Sequence, residues 1–185
     1  MKLAVKPRIS EKKGDMKQLR REGSIPAIIY SSKGQPEKLT ISGAEFSAIF
    51  RQMKPGQLPT TVFTLTDGKQ ERRAIIKDLQ YHLTTYNVSH ADFQELVDDV
   101  PICVKVPVNC IGIADCIGVK LGGFLRQVVR HVKVKCLPKN IPQEFQVDVK
   151  DLGIRQSKRL RDIAMPNGVK PLAKLEEVLI VVAKR

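Results

Sequence analysis

The chain has no tryptophan, and aromatic residues make up only 5% of its 185 positions, so any core must rest on Val, Ile and Leu. Long hydrophobic runs are missing too. No stretch approaches the roughly 18–20 apolar residues that a membrane span requires. The opening Met1-Lys2-Leu3-Ala4-Val5-Lys6-Pro7-Arg8 breaks its apolar run too early for a signal peptide. Nothing resembles a long amphipathic helix with a basic face, which disfavours attachment to a membrane surface. Cys103, Cys110, Cys116 and Cys136 form no C-x-x-C pair, and no histidine lies at finger spacing, so a zinc site is not expected. Nothing points to secretion, and the four cysteines read as reduced, mostly buried small residues of a cytosolic protein.

Catalytic signatures are equally absent. The chain contains no G-x-S-x-G, H-E-x-x-H, G-x-x-x-x-G-K-[ST] or G-x-G-x-x-G. Of its three histidines, His82 and His131 sit in β-like runs without an evident acid partner. The passage Gly118-Val119-Lys120-Leu121-Gly122-Gly123 is too loose for a phosphate loop and reads as tight β turns. No enzymatic activity, cofactor, metal or small-molecule substrate is expected.

What the chain does have is charge. It carries 32 Lys and Arg against 19 Asp and Glu, a net +13. Such an excess repels itself in a compact fold and implies a polyanionic partner. With a membrane set aside, nucleic acid remains. Apolar residues reach 42%, rich in β-branched types and accompanied by 12 Gly and 11 Pro, a composition that leans toward strands and turns.

Leu3, Val5 and Ile9 alternate as an opening strand interrupted by Pro7, and residues 14–22 turn helical, with Met16 and Leu19 as a narrow apolar stripe. Residues 25–30 and 38–42 read as strands. Ser42-Gly43-Ala44-Glu45 fits a capping box, followed at helical spacing by Phe46, Ile49, Phe50 and Met53. Residues 60–66 and 69–77 read as a hairpin around Asp67-Gly68, and 86–93 as one more strand. The acidic passage 94–99 marks a boundary. Beyond it, strands are expected at 101–108, 124–137, 145–149 and 178–183, with no helix longer than a turn or two. In the run 124–137, Val128, Val132, Val134 and Cys136 fall on one face, with Lys133 and Lys135 on the other. The expected architecture is mostly β: a barrel-like domain with two helices over residues 1–94 and an all-β domain over 95–185.

Residues 1–33 hold 9 bases and 3 acids, a concentrated footprint rather than a diffuse bias. Lys13, Lys17, Arg20 and Arg21 share one broad helix face, joined by Arg8 on the preceding segment. Such a stripe suits phosphates on both sides of a groove, although an ordinary solvated helix face is the bland alternative. In Ser89-His90-Ala91-Asp92-Phe93-Gln94, a strand turns His90, Asp92 and Gln94 one way and Ala91 and Phe93 the other. An Asp on a basic surface weakens phosphate attraction, so there it would serve base amino groups, with the imidazole donating or stacking. The pattern alone fits a plain exposed strand equally well.

Lys12-Lys13-Gly14 followed by Leu19-Arg20-Arg21-Glu22-Gly23-Ser24-Ile25-Pro26-Ala27-Ile28-Ile29-Tyr30 resembles the opening signature of a bacterial large-subunit ribosomal protein family, also called general stress protein Ctc. Ile76-Lys77-Asp78-Leu79-Gln80-Tyr81-His82 and His90-Ala91-Asp92-Phe93 resemble its second signature. Val106-Pro107-Val108, residues 118–123, Cys136-Leu137-Pro138, Ile141-Pro142 and Val147-Asp148-Val149 resemble its longer, two-domain members. The resemblance implies a six-stranded barrel-like N-terminal domain that binds the internal-loop region of 5S rRNA, with the second domain touching neighbouring large-subunit proteins and rRNA. It implies RNA contacts at Arg8, Lys13, Lys17, Arg20, Tyr30, His90 and Asp92, a cytoplasmic place on the ribosome, and no cofactor. A stress-associated RNA binder that joins ribosomes only conditionally is the alternative. Lys17 stands where the family usually has Arg, Asp15 and Met16 replace small residues, and Lys158-Arg159-Leu160-Arg161 is more basic than usual. That cluster is a candidate second contact.

Overall fold

The computed structural model describes residues 1–8, 13–31, 34–68 and 70–184, with the side chain of Lys13 excepted. Ile9, expected to continue the opening strand, lies outside them. The chain divides into two compact units, Met1–Val100 and Pro101–Arg185.

The first unit runs β1 (Lys2–Pro7), α1 (Lys13–Arg21), β2 (Ser24–Tyr30), β3 (Glu37–Ser42), α2 (Gly43–Gln52), β4 (Val62–Thr66), β5 (Glu71–Tyr81) and β6 (Val88–Glu95). Its strands close into a barrel in the order β1-β3-β2-β6-β5-β4. Closure comes from the parallel pairing of Lys2, Leu3 and Ala4 with Thr64, Leu65 and Thr66. The N-terminal amine reinforces the seam by donating to the Val62 carbonyl at 3.0 Å.

Strict alternation explains the interior. Leu3, Val5, Phe63, Leu65, Ala91 and Phe93 all point inward and are buried, while their sequence neighbours stay on the outside. Phe63 and Phe93 meet edge-on with centroids 6.2 Å apart, a favoured aromatic geometry. Helix α2 adds Phe46 to this core, with Ile49 and Met53 packed behind it. It starts where the capping box predicts, the Ser42 hydroxyl accepting from the Glu45 amide at 3.4 Å. Gly43 is required there because a Cβ would stand 2.3 Å from the Gly23 carbonyl, to which the Gly43 amide donates. Between β4 and β5, Gly68 takes a φ of +70°, as the expected Asp67-Gly68 turn demands.

The second unit contains β7 (Ile102–Ile111), a one-turn α3 (Ile117–Lys120), β8 (Gly123–Gln127), β9 (His131–Cys136), β10 (Phe145–Asp148), β11 (Ser157–Arg159), β12 (Lys170–Pro171) and β13 (Val178–Lys184). They form a four-stranded sheet, β10-β7-β9-β12, and a three-stranded sheet, β11-β13-β8. The fold is mostly β, as composition implied. The run 124–137, expected as one strand, is two strands that belong to different sheets. The chain changes sheets at residues 128–130, where the Val128 amide donates to Leu179. Val128 is therefore 55% exposed, whereas Val132, Val134 and Cys136 are buried as expected. The glycine passage 118–123 makes the one-turn helix α3 rather than β turns alone. A Cβ on Gly118 would come within 2.9 Å of the Leu152 carbonyl, so that glycine serves close packing. None of the four cysteines forms a disulfide; Cys116 and Cys136 are buried, Cys110 is half-buried and Cys103 exposed. Among the described residues, no helix is long and apolar enough to cross a membrane.

Across one mouth of the barrel, Arg72 of β5 donates to Glu37 of β3 at 2.7 Å. That hydrogen bond holds the Glu37 carboxyl below its ordinary range. A depressed folded pKa stabilises above the unfolded value and is lost as pH falls through the folded one. Glu37→Gln should therefore cost less than about 1 kcal/mol at neutral pH, because the pair is solvent-screened, and that deficit should vanish under acid, read by denaturation at several pH values. Phe93→Ala should cost about 3–5 kcal/mol by the same measurement.

Candidate nucleic-acid interface

Strand β6 lies between β2 and β5, and its alternation decides what reaches the barrel's outer surface. Ala91 and Phe93 are fully buried, and His90, Asp92 and Gln94 stand outside, half-buried. Across β2, Asp92 pairs in register with Ile28 and Gln94 with Tyr30. Across β5, Asp92 pairs with Asp78 and His90 with Gln80. Ile28 in turn pairs with Lys38, whose carbonyl accepts from the Arg8 amide at 2.9 Å. One row thus crosses four strands from Arg8 to Asp92, a backbone distance of about 14 Å at the usual strand spacing.

Helix α1 is tied to this surface at two points. The Arg8 guanidinium lies against the Met16 sulfur. Arg20 Nε donates to the Ser89 carbonyl at 3.1 Å, joining α1 to β6 beside His90. Lys17 and Arg21 are exposed and have no ion pair among the described residues. Lys13 opens the helix, its side chain lying outside the described residues. Tyr30 ends β2 with 39% of its surface exposed. The structure thus pairs His90 with Asp92, fastens Arg20 at the neighbouring Ser89 carbonyl, and sets Arg8 and Tyr30 on the same face.

His90 Nδ1 stands 2.7 Å from Asp92 Oδ1, a separation at which two lone pairs would repel, so Nδ1 carries the proton. The contact is out of line, and Nδ1 has no aligned hydrogen-bond partner among the described residues; Arg8 Nε shares that condition. Buried polar atoms are nearly always satisfied in a folded protein. His90 Nδ1 is held against the Asp92 carboxylate, so the pair fixes its own orientation on the outer face.

Lys77, Asp78 and Gln80 belong to the second signature, but the sequence singled out none of them as a site residue. A register shift in β5 between Ile76 and Asp78 leaves Lys77 as an extra residue, and its ammonium donates to Gln94 Oε1 at 3.0 Å. Such bulges re-aim side chains. The available signal was the unbroken apolar triplet Ala74-Ile75-Ile76, all buried, which violates alternation at the point where the strand shifts. An open cleft of about 700 Å³ also lies beside Arg20 and Ser89, lined in part by Phe50, Tyr86 and Asn87. Burial first, and then the Asp78 carboxylate, push the nearby Tyr81 phenol up, keeping it a proton donor at neutral pH. Among the described residues, no group of His, Cys, Asp and Glu could hold a metal ion.

A nine-residue helix such as α1 is marginal by itself, so its anchors matter. Arg20→Ala should raise amide hydrogen exchange in α1 about fivefold, the loss of one charge-assisted bond at an exposed site, while β6 amides keep their protection.

Two family models match the chain. The ribosomal L25p family covers residues 3–93, and the C-terminal domain of ribosomal protein TL5 covers residues 101–185. The large ribosomal subunit protein bL25 of Chlamydia muridarum is 43% identical over 185 residues, spanning 100% of both chains. Its counterparts in Chlamydia pneumoniae and Chlamydia caviae are 42% and 39% identical over the same full length. Matches that span every residue of both partners, with one family model on each compact unit, show that the chain belongs to the ribosomal L25p family, a family of structural proteins of the large ribosomal subunit and not of enzymes.

Proposed function

We propose that the N-terminal unit docks on 5S rRNA through the outer face of β2, β6 and β5 together with helix α1. In this reading Lys13, Lys17, Arg20 and Arg21 neutralise phosphates from the helix, and Arg8 does so from the end of β1. Tyr30, His90 and Asp92 meet the RNA where an internal loop widens its groove. Phosphate contacts set position, and base-edge contacts set register. The C-terminal unit touches neighbouring large-subunit components.

The observation that carries this reading is the grouping on one outer face of the His90–Asp92 pair, 2.7 Å apart, with Arg20 fastened beside it at the Ser89 carbonyl. All three are residues that the sequence selected for RNA contact. Asp92 supports the reading from the opposite sign. It faces Asp78 across the strands, an arrangement that repels in isolation and is relieved by amino groups of bases. A phosphate surface alone would have no use for it.

The test is binding of the full chain to 5S rRNA, with and without its internal loop, over a salt series. Asp92→Ala should weaken binding about 10- to 100-fold, the worth of a good base-edge contact, leaving the salt slope unchanged. Lys17→Ala should weaken binding to any RNA alike and lower the slope by about 1. Binding that ignores the loop and is indifferent to Asp92 would refute the assignment.

A further inference from the structure

The second unit carries 16 bases and only 7 acids, the larger share of the chain's positive excess. The sequence directs attention to Lys158, Arg159 and Arg161, but the structure neutralises much of that cluster. Arg159 and Arg161 both bind the Glu176 carboxylate, the latter at 2.9 Å, and Arg161 also approaches Asp162. These arginines hold Glu176 below the ordinary carboxylate range. The uncompensated charge lies elsewhere.

Strand register gathers it. Lys105 of β7 sits directly opposite Lys133 of β9, and Cys103 opposite Lys135. On the far side of β9, Lys135 sits opposite Lys170 of β12, and the Leu172 amide continues the pairing to the Lys133 carbonyl. Between them Val104, Val106, Val132 and Val134 turn inward and are buried, so Lys105, Lys133, Lys135 and Lys170 share the outer face, all exposed. No acidic residue pairs into these rows, and none of these lysines has an ion pair among the described residues. Like charges placed directly opposite each other destabilise a sheet. Two such pairs on three neighbouring strands are an arrangement that folding alone disfavours.

We infer that the outer face of β7, β9 and β12 is a second RNA-binding surface, independent of the 5S rRNA site, that grips the phosphate backbone of an RNA helix without reading its bases. Four flexible point charges on a rigid grid suit phosphates at variable positions, whereas base reading favours forked or amide side chains. The large apolar residues exposed beside the lysines are Leu137 and Leu172, a small apolar area next to four ammonium groups.

The experiment compares the full chain with a variant carrying Lys105→Gln, Lys133→Gln, Lys135→Gln and Lys170→Gln, and with a charge-matched variant carrying Lys139→Gln, Lys150→Gln, Lys174→Gln and Lys184→Gln. The probe is a short RNA duplex of arbitrary sequence without the 5S internal loop. The face variant should bind it more than about tenfold more weakly at 0.1 M salt, with a shallower salt slope, while the charge-matched variant loses much less. Its melting temperature should hold or rise, since repulsion is relieved. Preference for 5S rRNA with its loop over 5S rRNA without it should persist in the face variant, which separates this surface from the first. Equal losses in the two variants, or no loss in either, would overturn the inference. So would unchanged duplex binding combined with weakened binding of polyglutamate, which would assign the face to an acidic protein segment.

Discussion

Closure of the N-terminal barrel governs what the first unit can present. Once β1 pairs in parallel with β4 through Leu3 and Leu65, every strand has a committed inner and outer face. Ala91 and Phe93 must then fill the interior, with Phe93 set edge-on against Phe63. His90 and Asp92 have no alternative to the surface. A slip of one residue in β6 would bury the imidazole and the carboxylate and expose the phenyl ring. The cost of burying those polar groups protects the register, so the same constraint that builds the core also positions the candidate site. Arg20 extends this control to α1, fastening a short basic helix to the backbone of β6 at Ser89.

Charge is organised differently in the two units. In the first, acids are mixed into the basic surface at Asp78 and Asp92, where they would spoil pure phosphate attraction. In the second, the lysine grid on β7, β9 and β12 contains no acid, and the acids sit apart, as Glu176 does beside Arg159 and Arg161. The first pattern suits recognition of one RNA feature, the second suits attachment to RNA in general. In the proposed role, holding one RNA within a larger particle would use both kinds of contact.

Much of this was legible in the residues. Alternation located the strands, Ser42 and Glu45 announced α2, Asp67-Gly68 announced a hairpin, and the period of two placed His90 and Asp92 together. What was not legible has physical reasons. Residues 124–137 read as one strand because no breaker marks the change of sheet at 128–130, where the inward side switches from odd positions in β8 to even positions in β9. The bulge at Lys77 left only the triplet Ala74-Ile75-Ile76 as its trace. The pairing of Lys105 with Lys133 joins residues 28 positions apart, and a sequence read locally shows each only as one more exposed lysine. In the same way Glu176 hides the neutral character of a cluster that looks basic at Arg159 and Arg161.

Oxidative footprinting of the full chain with and without 5S rRNA tests directly whether the outer face of the barrel meets that RNA. Tyr30 and His90 should become protected when 5S rRNA is added, while Leu121 and Phe124 of the second unit, both exposed in the structure, keep their reactivity. Protection of Leu121 and Phe124 with Tyr30 and His90 unchanged would contradict that contact.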